Sequence, residues 1–200
     1  MFDSMMEVLL MKVLEERILK DGKVLPGEVL KVGSFLNQQI DTSLMCEMGK
    51  EIAKEFADAG VTKVMTIETS GIPLAMCTAL AMNVPVVYGK KHRSNNLSGE
   101  MLTAQVFSYT NQTEYTIILP KEYISKDDVI LMVDDFLASG NAYIGMLELV
   151  SQVGAKVAGM ASGIEKGFQG GGDKLRKMVY KVVSLANIDS MSEDSLTFRA

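Results

Sequence analysis

Residues 129–133 are five apolar residues in a row, Val-Ile-Leu-Met-Val, and the run stops at two adjacent acids, Asp134 and Asp135. A continuous apolar run this short has no polar face to turn to water, so both of its sides must be covered. Further β-rich runs occupy 64–67, 84–88 and 156–164, and helical patterns lie between them. An alanine-rich helix is expected over 73–82, with Pro73 near its start, where a missing N–H is unpaired anyway. Another runs from the small residues after Asp135 to about Gly154. Short buried strands alternating with helices make a parallel sheet covered on both faces. The expected fold class is α/β, a mostly parallel sheet flanked by helices.

Two helices precede this alternation. Leu10, Leu14 and Ile18 repeat every four residues over 5–20, with Gly22 as a stop. Asp41 is a good N-cap for a helix reaching Gly60, with Met45, Met48, Ile52 and Phe56 as its apolar, core-filling stripe. Residues 24–40 show no clear period and read as loop with room for one short strand. One stretch departs from the alternation. Residues 90–99 are polar and charged, and two β-rich runs follow, 103–109 and 115–119, joined by Thr110-Asn111-Gln112-Thr113 as a hairpin turn. A hairpin set between two parallel-sheet units behind a polar loop is a common form for an active-site lid. Neither a linker nor a repeat divides the chain, so a single domain is expected over residues 1–200.

Composition excludes several classes of function. The 200 residues are 48% hydrophobic and 22% charged, enough for one core without staples. Lys and Arg number 20 against 25 Asp and Glu, a net charge of -5, whereas a sequence-independent nucleic-acid binder needs a dense basic surface. No segment reaches the run of about 18 apolar residues that a spanning helix needs. Asp3 and Glu7 precede a short apolar stretch, unlike the basic start of a secretory signal, so a cytoplasmic protein without membrane or nucleic-acid partners is expected. Cys46 and Cys77 are far apart in the chain and read as separate buried thiols in a reducing compartment. A single histidine, His92, leaves no basis for a histidine-rich metal site.

The site-forming segment is 129–142. In an open parallel sheet, ligands bind beyond the carboxyl ends of the strands, and Asp134 and Asp135 stand at such an end. Two acids leaving a strand can simply start a turn. Here, however, adjacent residues of a strand point to opposite sides, so the pair cannot both be solvated on one face. Ala138-Ser139-Gly140-Asn141-Ala142 is moreover a run of small residues opening a helix, where backbone N–H groups can close around a phosphate. Carboxylates suit ribose hydroxyls and magnesium, and N–H-rich loops suit phosphate. The combination points to a phosphorylated sugar.

This segment resembles the phosphoribosyl-diphosphate (PRPP) binding motif of the type I phosphoribosyltransferases. Val29-Leu30-Lys31-Val32, Ser34-Phe35-Leu36-Asn37, Ile67-Glu68-Thr69-Ser70-Gly71, Lys90-Lys91-His92 and Ile164-Glu165-Lys166-Gly167-Phe168 are similar to stretches of the bacterial xanthine phosphoribosyltransferases in that family. The likeness runs over nearly the whole chain from about Met11, and residues 1–10 fall outside it as a possible extension. It implies a type I phosphoribosyltransferase fold, with a small base-binding hood from about 11–60 and the C-terminal part, and an inserted hairpin lid. It implies transfer of the 5-phosphoribosyl group of PRPP to xanthine, with Mg2+ as cofactor and a homodimer as the assembly.

By the same resemblance, Ala138 to Ala142 hold the 5-phosphate, and Asp134 and Asp135 hold the ribose hydroxyls, directly or through magnesium. Leu30, Asn37 and Lys166 contact the purine, and the place of Lys166 at a strand end next to Phe168 supports the base ring packing on Phe168. Ser70 and Gly71 lie in the diphosphate loop, and Lys90 and Lys91 open the mobile segment. Several relatives carry an aspartate at the position of Ala138, so the general base is unassigned; water or the acidity of xanthine can make one unnecessary. Residues 167–173, Gly-Phe-Gln-Gly-Gly-Gly-Asp, lack the Lys-Ser/Thr ending of a nucleotide loop and read as a flexible surface loop. Two alternatives stay open: another 6-oxopurine, guanine or hypoxanthine, as acceptor, and a PRPP-sensing regulator on the same fold.

Overall fold

The computed structural model describes the backbone of residues 2–91, 99–108, 113–193 and 195–199 and, within these, the side chains from Lys12 onward except that of Ser108. His92 and the hairpin turn before Thr113 lie outside the described residues. Helix α1 (Phe2–Asp21) buries Leu14 and Ile18. The next segment holds more order than its sequence signals: β1 (Lys23–Leu25) and β2 (Val29–Lys31) form an antiparallel hairpin, followed by one π-helical turn, Gly33–Asn37. Gly27 and Glu28 turn that hairpin with positive φ. Three-residue strands are too short to print a period of two.

Helix α2 (Thr42–Glu55) starts where expected, the Asp41 side chain accepting from the Leu44 N–H, and Gly60 closes the short turn after it in the left-handed region. Met45, Met48, Ile52 and Phe56 are all buried. Then come β3 (Lys63–Ile67), α3 (Ile72–Met82), β4 (Val86–Gly89), the hairpin β5 (Met101–Ser108) and β6 (Thr113–Pro120), β7 (Val129–Leu137), α4 (Asn141–Val153), β8 (Lys156–Lys166), α5 (Gly171–Lys177), β9 (Val182–Met191) and β10 (Leu196–Phe198). The main sheet has the order β10-β9-β8-β7-β3-β4, parallel except for β10. Strand β9 was not anticipated, because its apolar residues are interrupted by Ser184, Asn187 and Asp189.

Alternation along β7 explains the two-sided burial. Leu131 and Val133 join α2 and α3 in one core, while Ile130 and Met132 face α4 and the β5–β6 hairpin in a second. Three expectations change. Strand β7 does not end at the two acids but continues through Asp134 and Asp135 to Leu137, because β8 keeps pairing with it after β3 has stopped. The hairpin is not a free flap: Val106 and Ile117 are buried against α4, where a Cβ on Gly145 would run into both. The cysteines are half-buried and close, Sγ to Sγ 3.6 Å, because α2 and α3 meet at Gly49, which has no room for a Cβ against the Cys77 backbone.

Candidate active site

The chain leaves β3 toward β4 on one side, and β7 flanks β3 on the other, which makes the β3–β7 boundary the topological switch point of the sheet. A small cavity of about 120 Å³ opens there, bordered by Glu68, Ser70, Lys91, Tyr115, Asp134 and Asp135. Register explains the placement. Met65 pairs with Met132, so β3 ends level with Asp134.

The acids are not equivalent. Burial pushes the Asp134 carboxyl well above the usual carboxylate range, and the Asp135 charge beside it pushes the same way, while Lys91 pulls it back. Asp134 Oδ1 accepts from the Asp135 N–H at 3.0 Å, and Asp135 Oδ2 faces Asn37 Nδ2 at 3.4 Å. Gly71 lies so close under Asp134 that a Cβ would strike Oδ1 and the Thr66 hydroxyl. The loop ahead of it, whose Glu68–Thr69 peptide is cis, is tied down where Glu68 Oε1 accepts from the Lys91 N–H at 2.6 Å. Lys91 Nζ stands 5.1 Å from the centre of the Tyr115 ring, which places a cation over an aromatic face at the cavity wall. Burial, and then Asp134, raise the Tyr115 phenol above its ordinary value.

Next to the carboxylates, Ala138 to Ala142 lead from β7 into α4, and Ala142 borders the same cavity. Gly140 is the N-cap residue at φ 81°, and no side chain caps the helix. The first N–H groups of this 13-residue helix are therefore left for an anion, and the dipole favours one. Asn141 Nδ2 donates to the Phe107 carbonyl at 2.9 Å, which fastens the loop to the β5–β6 hairpin.

Two of the expected base contacts, Lys166 and Phe168, lie at and just beyond the carboxyl end of β8. Lys166 Nζ donates to the Glu28 carbonyl at 2.7 Å and sits 5.8 Å from the Phe136 ring centre, while Gln169 Nε2 reaches Glu28 Oε2 at 3.0 Å. Burial lowers the Lys166 ammonium below its usual range, with Glu28 opposing. The β1–β2 turn thus closes onto the Lys166 segment, and Asn37 reaches over to Asp135. Phe168 packs at the edge of the first core.

Two expected site residues and one expected loop are placed differently. Leu30, expected against the purine ring, is 7% exposed and turns its side chain into the core beside Gly22. Lys90 pairs with Ile118 in a β-bridge and lines a separate groove with Tyr88 and Glu122, so only Lys91 reaches the cavity. Residues 167–173 are not a flexible loop: a 3₁₀ turn, Gly167–Gln169, leads into α5, and Gly171 packs directly behind the Ala138-to-Ala142 loop. Sequence reasoning also missed Phe136, Tyr115 and Glu28. Only Glu28 had a local signal, the Pro26-Gly27 turn.

Comparison with known proteins decides the family. The family model described as a phosphoribosyl transferase domain matches residues 38–192. The chain belongs to the phosphoribosyl transferase family. A family member from Limosilactobacillus reuteri, a xanthine phosphoribosyltransferase, is 49% identical over 188 residues, covering 94% of this chain and 98% of its own. One of the same description from Bacillus cytotoxicus is 50% identical, covering 94% and 95%. Among solved structures of the family, adenine phosphoribosyltransferase from Rhodothermus marinus superposes with a TM-score of 0.73 at 20% identity, covering 90% of this chain and 99% of its own. The Trypanosoma brucei adenine enzyme, solved with AMP, pyrophosphate and ribose-5-phosphate, gives 0.72 at 18%, covering 89% and 79%. These structural likenesses establish the type I phosphoribosyltransferase fold.

Proposed function

We propose that this phosphoribosyltransferase moves the 5-phosphoribosyl group of PRPP onto xanthine, releasing diphosphate and xanthosine 5'-monophosphate in purine salvage. The observation that carries the reading is the juxtaposition at the β3–β7 boundary: two carboxylates, the cation of Lys91 and an uncapped helix N-terminus share one small cavity. That donor set matches a phosphorylated sugar with a second anionic group. The relatives of about 49% identity described as xanthine phosphoribosyltransferases support xanthine as the base.

The residues divide the work by charge. Ala138 to Ala142 take the 5-phosphate on backbone N–H groups, and Asp134 and Asp135 take the ribose hydroxyls. Breaking the anomeric bond builds negative charge on diphosphate, which Lys91 and the N–H groups of Ser70 and Gly71 receive. Lys166 donates to the 6-oxygen of the base, and Asn37 offers an amide N–H to the 2-oxygen of xanthine. Phe168 and Phe136 supply apolar walls. Water must be kept from the ribosyl cation, and the stem of β5–β6 contributes to that cover.

Asp134 and Asp135 fit a divalent cation held mainly by others. Among the described residues no group of three or more His, Cys, Asp or Glu side chains converges. Two carboxylates with substrate phosphates and water make the incomplete protein shell that magnesium favours. The ion would supply charge neutralisation at the diphosphate.

Assembly as a homodimer is part of the same reading. It is supported by an apolar groove on α3 and β4 where Met76 is 59% exposed, Leu80 78% and Tyr88 41%. A second copy would cover them, and sedimentation would give twice the chain mass. We place the enzyme in the cytoplasm, a reading supported by its two unpaired thiols. No helix among the described residues is long and apolar enough to cross a membrane. The test of function is chromatographic: PRPP, xanthine and Mg2+ should yield xanthosine 5'-monophosphate and diphosphate in equal amounts. Absence of that product from folded protein would overturn the proposal.

A further inference from the structure

Glu165 is fully buried, 0% exposed, at the end of β8 next to Lys166, and its side chain points away from that of Lys166. A carboxylate so placed must be paired, and its partners form a complete set. Arg176 of α5 forks onto it, Nη1 to Oε1 at 2.9 Å and Nη2 to Oε2 at 2.8 Å. Ser184 Oγ donates to Oε2 at 2.6 Å and in turn lies 3.0 Å from Ser162 Oγ. The fork fixes α5 in position and in rotation, as a single-point contact with a lysine would not.

What α5 carries makes this matter. Its first residue, Gly171, donates its N–H to the Ala138 carbonyl at 3.1 Å. A Cβ on Gly171 would collide with the Ala138 oxygen and the Gly140 nitrogen, and one on Gly172 with the Glu165 carboxylate. The two glycines are thus wedged between the phosphate loop and the ion pair. From the other side, the Gly140 Cβ direction meets Gly171 at 3.3 Å.

We propose that Glu165 and Arg176 are positioning residues for PRPP: they touch no substrate, but hold α5 as the backing of the Ala138-to-Ala142 loop and so set its N–H groups for the 5-phosphate. The inference rests on the proposed PRPP reading. Removing only one partner would strand a buried charge and risk unfolding, whereas removing both is tolerated far better. The test therefore uses Arg176→Lys, which keeps the charge and loses the fork, and the charge-free double variant Glu165→Gln/Arg176→Met. PRPP affinity is measured by calorimetry with Mg2+, the xanthine KM at saturating PRPP, and folding by thermal melting.

Arg176→Lys should weaken PRPP about threefold to tenfold, and the double variant about tenfold or more, with the xanthine KM within about twofold of wild type. A merely structural pair would lower the melting temperature and leave this split absent. Wild-type affinity for PRPP in either folded variant, or equal losses toward PRPP and xanthine, would overturn the inference. Wild-type protein that binds no PRPP would instead overturn the reading on which it rests.

Discussion

At the residue scale, Gly140 combines two demands that no other side chain meets. Its φ of 81° lies in the left-handed region, and its Cβ direction meets the Gly171 backbone. Gly140→Val should therefore lower PRPP affinity on the order of a hundredfold or more, read by calorimetry on protein that still melts cooperatively. Asp135 makes a different kind of demand. Asp135→Asn keeps its shape and removes its charge, so the fold should persist while PRPP-dependent turnover in Mg2+ falls by orders of magnitude. Near wild-type turnover would remove Asp135 from the site. Both residues were legible in the sequence because their signals are local: two acids after an apolar run, then small residues opening a helix. Glu165 was not legible as a buried ion-pair member, since Arg176 lies eleven residues away and Ser184 nineteen. Nor was the approach of Asn37 to Asp135, which spans ninety-eight residues.

At the element scale, the strands that were legible are those covered on both faces, where burial forces a continuous apolar run. The extension of β7 past its apolar run, and β9, depend on pairing with β8, and pairing leaves no mark on composition. The β5–β6 hairpin was legible as a hairpin, but its inward face belongs to the second core. Ile117→Ala should accordingly cost about 2–5 kcal/mol in urea unfolding, a core penalty that a detached lid would not incur. The α2–α3 contact carries its own test. Burial, with Cys46 beside it, pushes the Cys77 thiol up to about 11, so this thiol stays protonated at neutral pH. Alkylation of Cys77, followed by mass spectrometry, should reach half its limiting rate near pH 11. A midpoint at or below the ordinary thiol range would mean that Cys77 is not buried at the α2–α3 contact as described.

At the scale of the whole molecule, two cores on opposite faces hold one sheet, and that sheet exposes its chemistry at the single boundary where the chain reverses direction. Phosphate, ribose and diphosphate would, in the proposed function, be met by β3, β7 and α4, and the base by the β1–β2 turn, Asn37 and the end of β8. In the proposed function the second group selects xanthine. A buried donor for the 2-oxygen rejects a base lacking that oxygen, because the donor is left unpaired. Lys166 favours the anionic form that xanthine reaches most readily, and adenine's 6-amine cannot accept from it. Asn37→Leu should narrow the gap between xanthine and hypoxanthine, and Lys166→Met should depress all three 6-oxopurines. The most direct measurement is PRPP-dependent kcat/KM for xanthine, guanine, hypoxanthine and adenine on the same wild-type preparation. The order predicted is xanthine first, guanine second, hypoxanthine weak and adenine nil; hypoxanthine turned over faster than xanthine would contradict it.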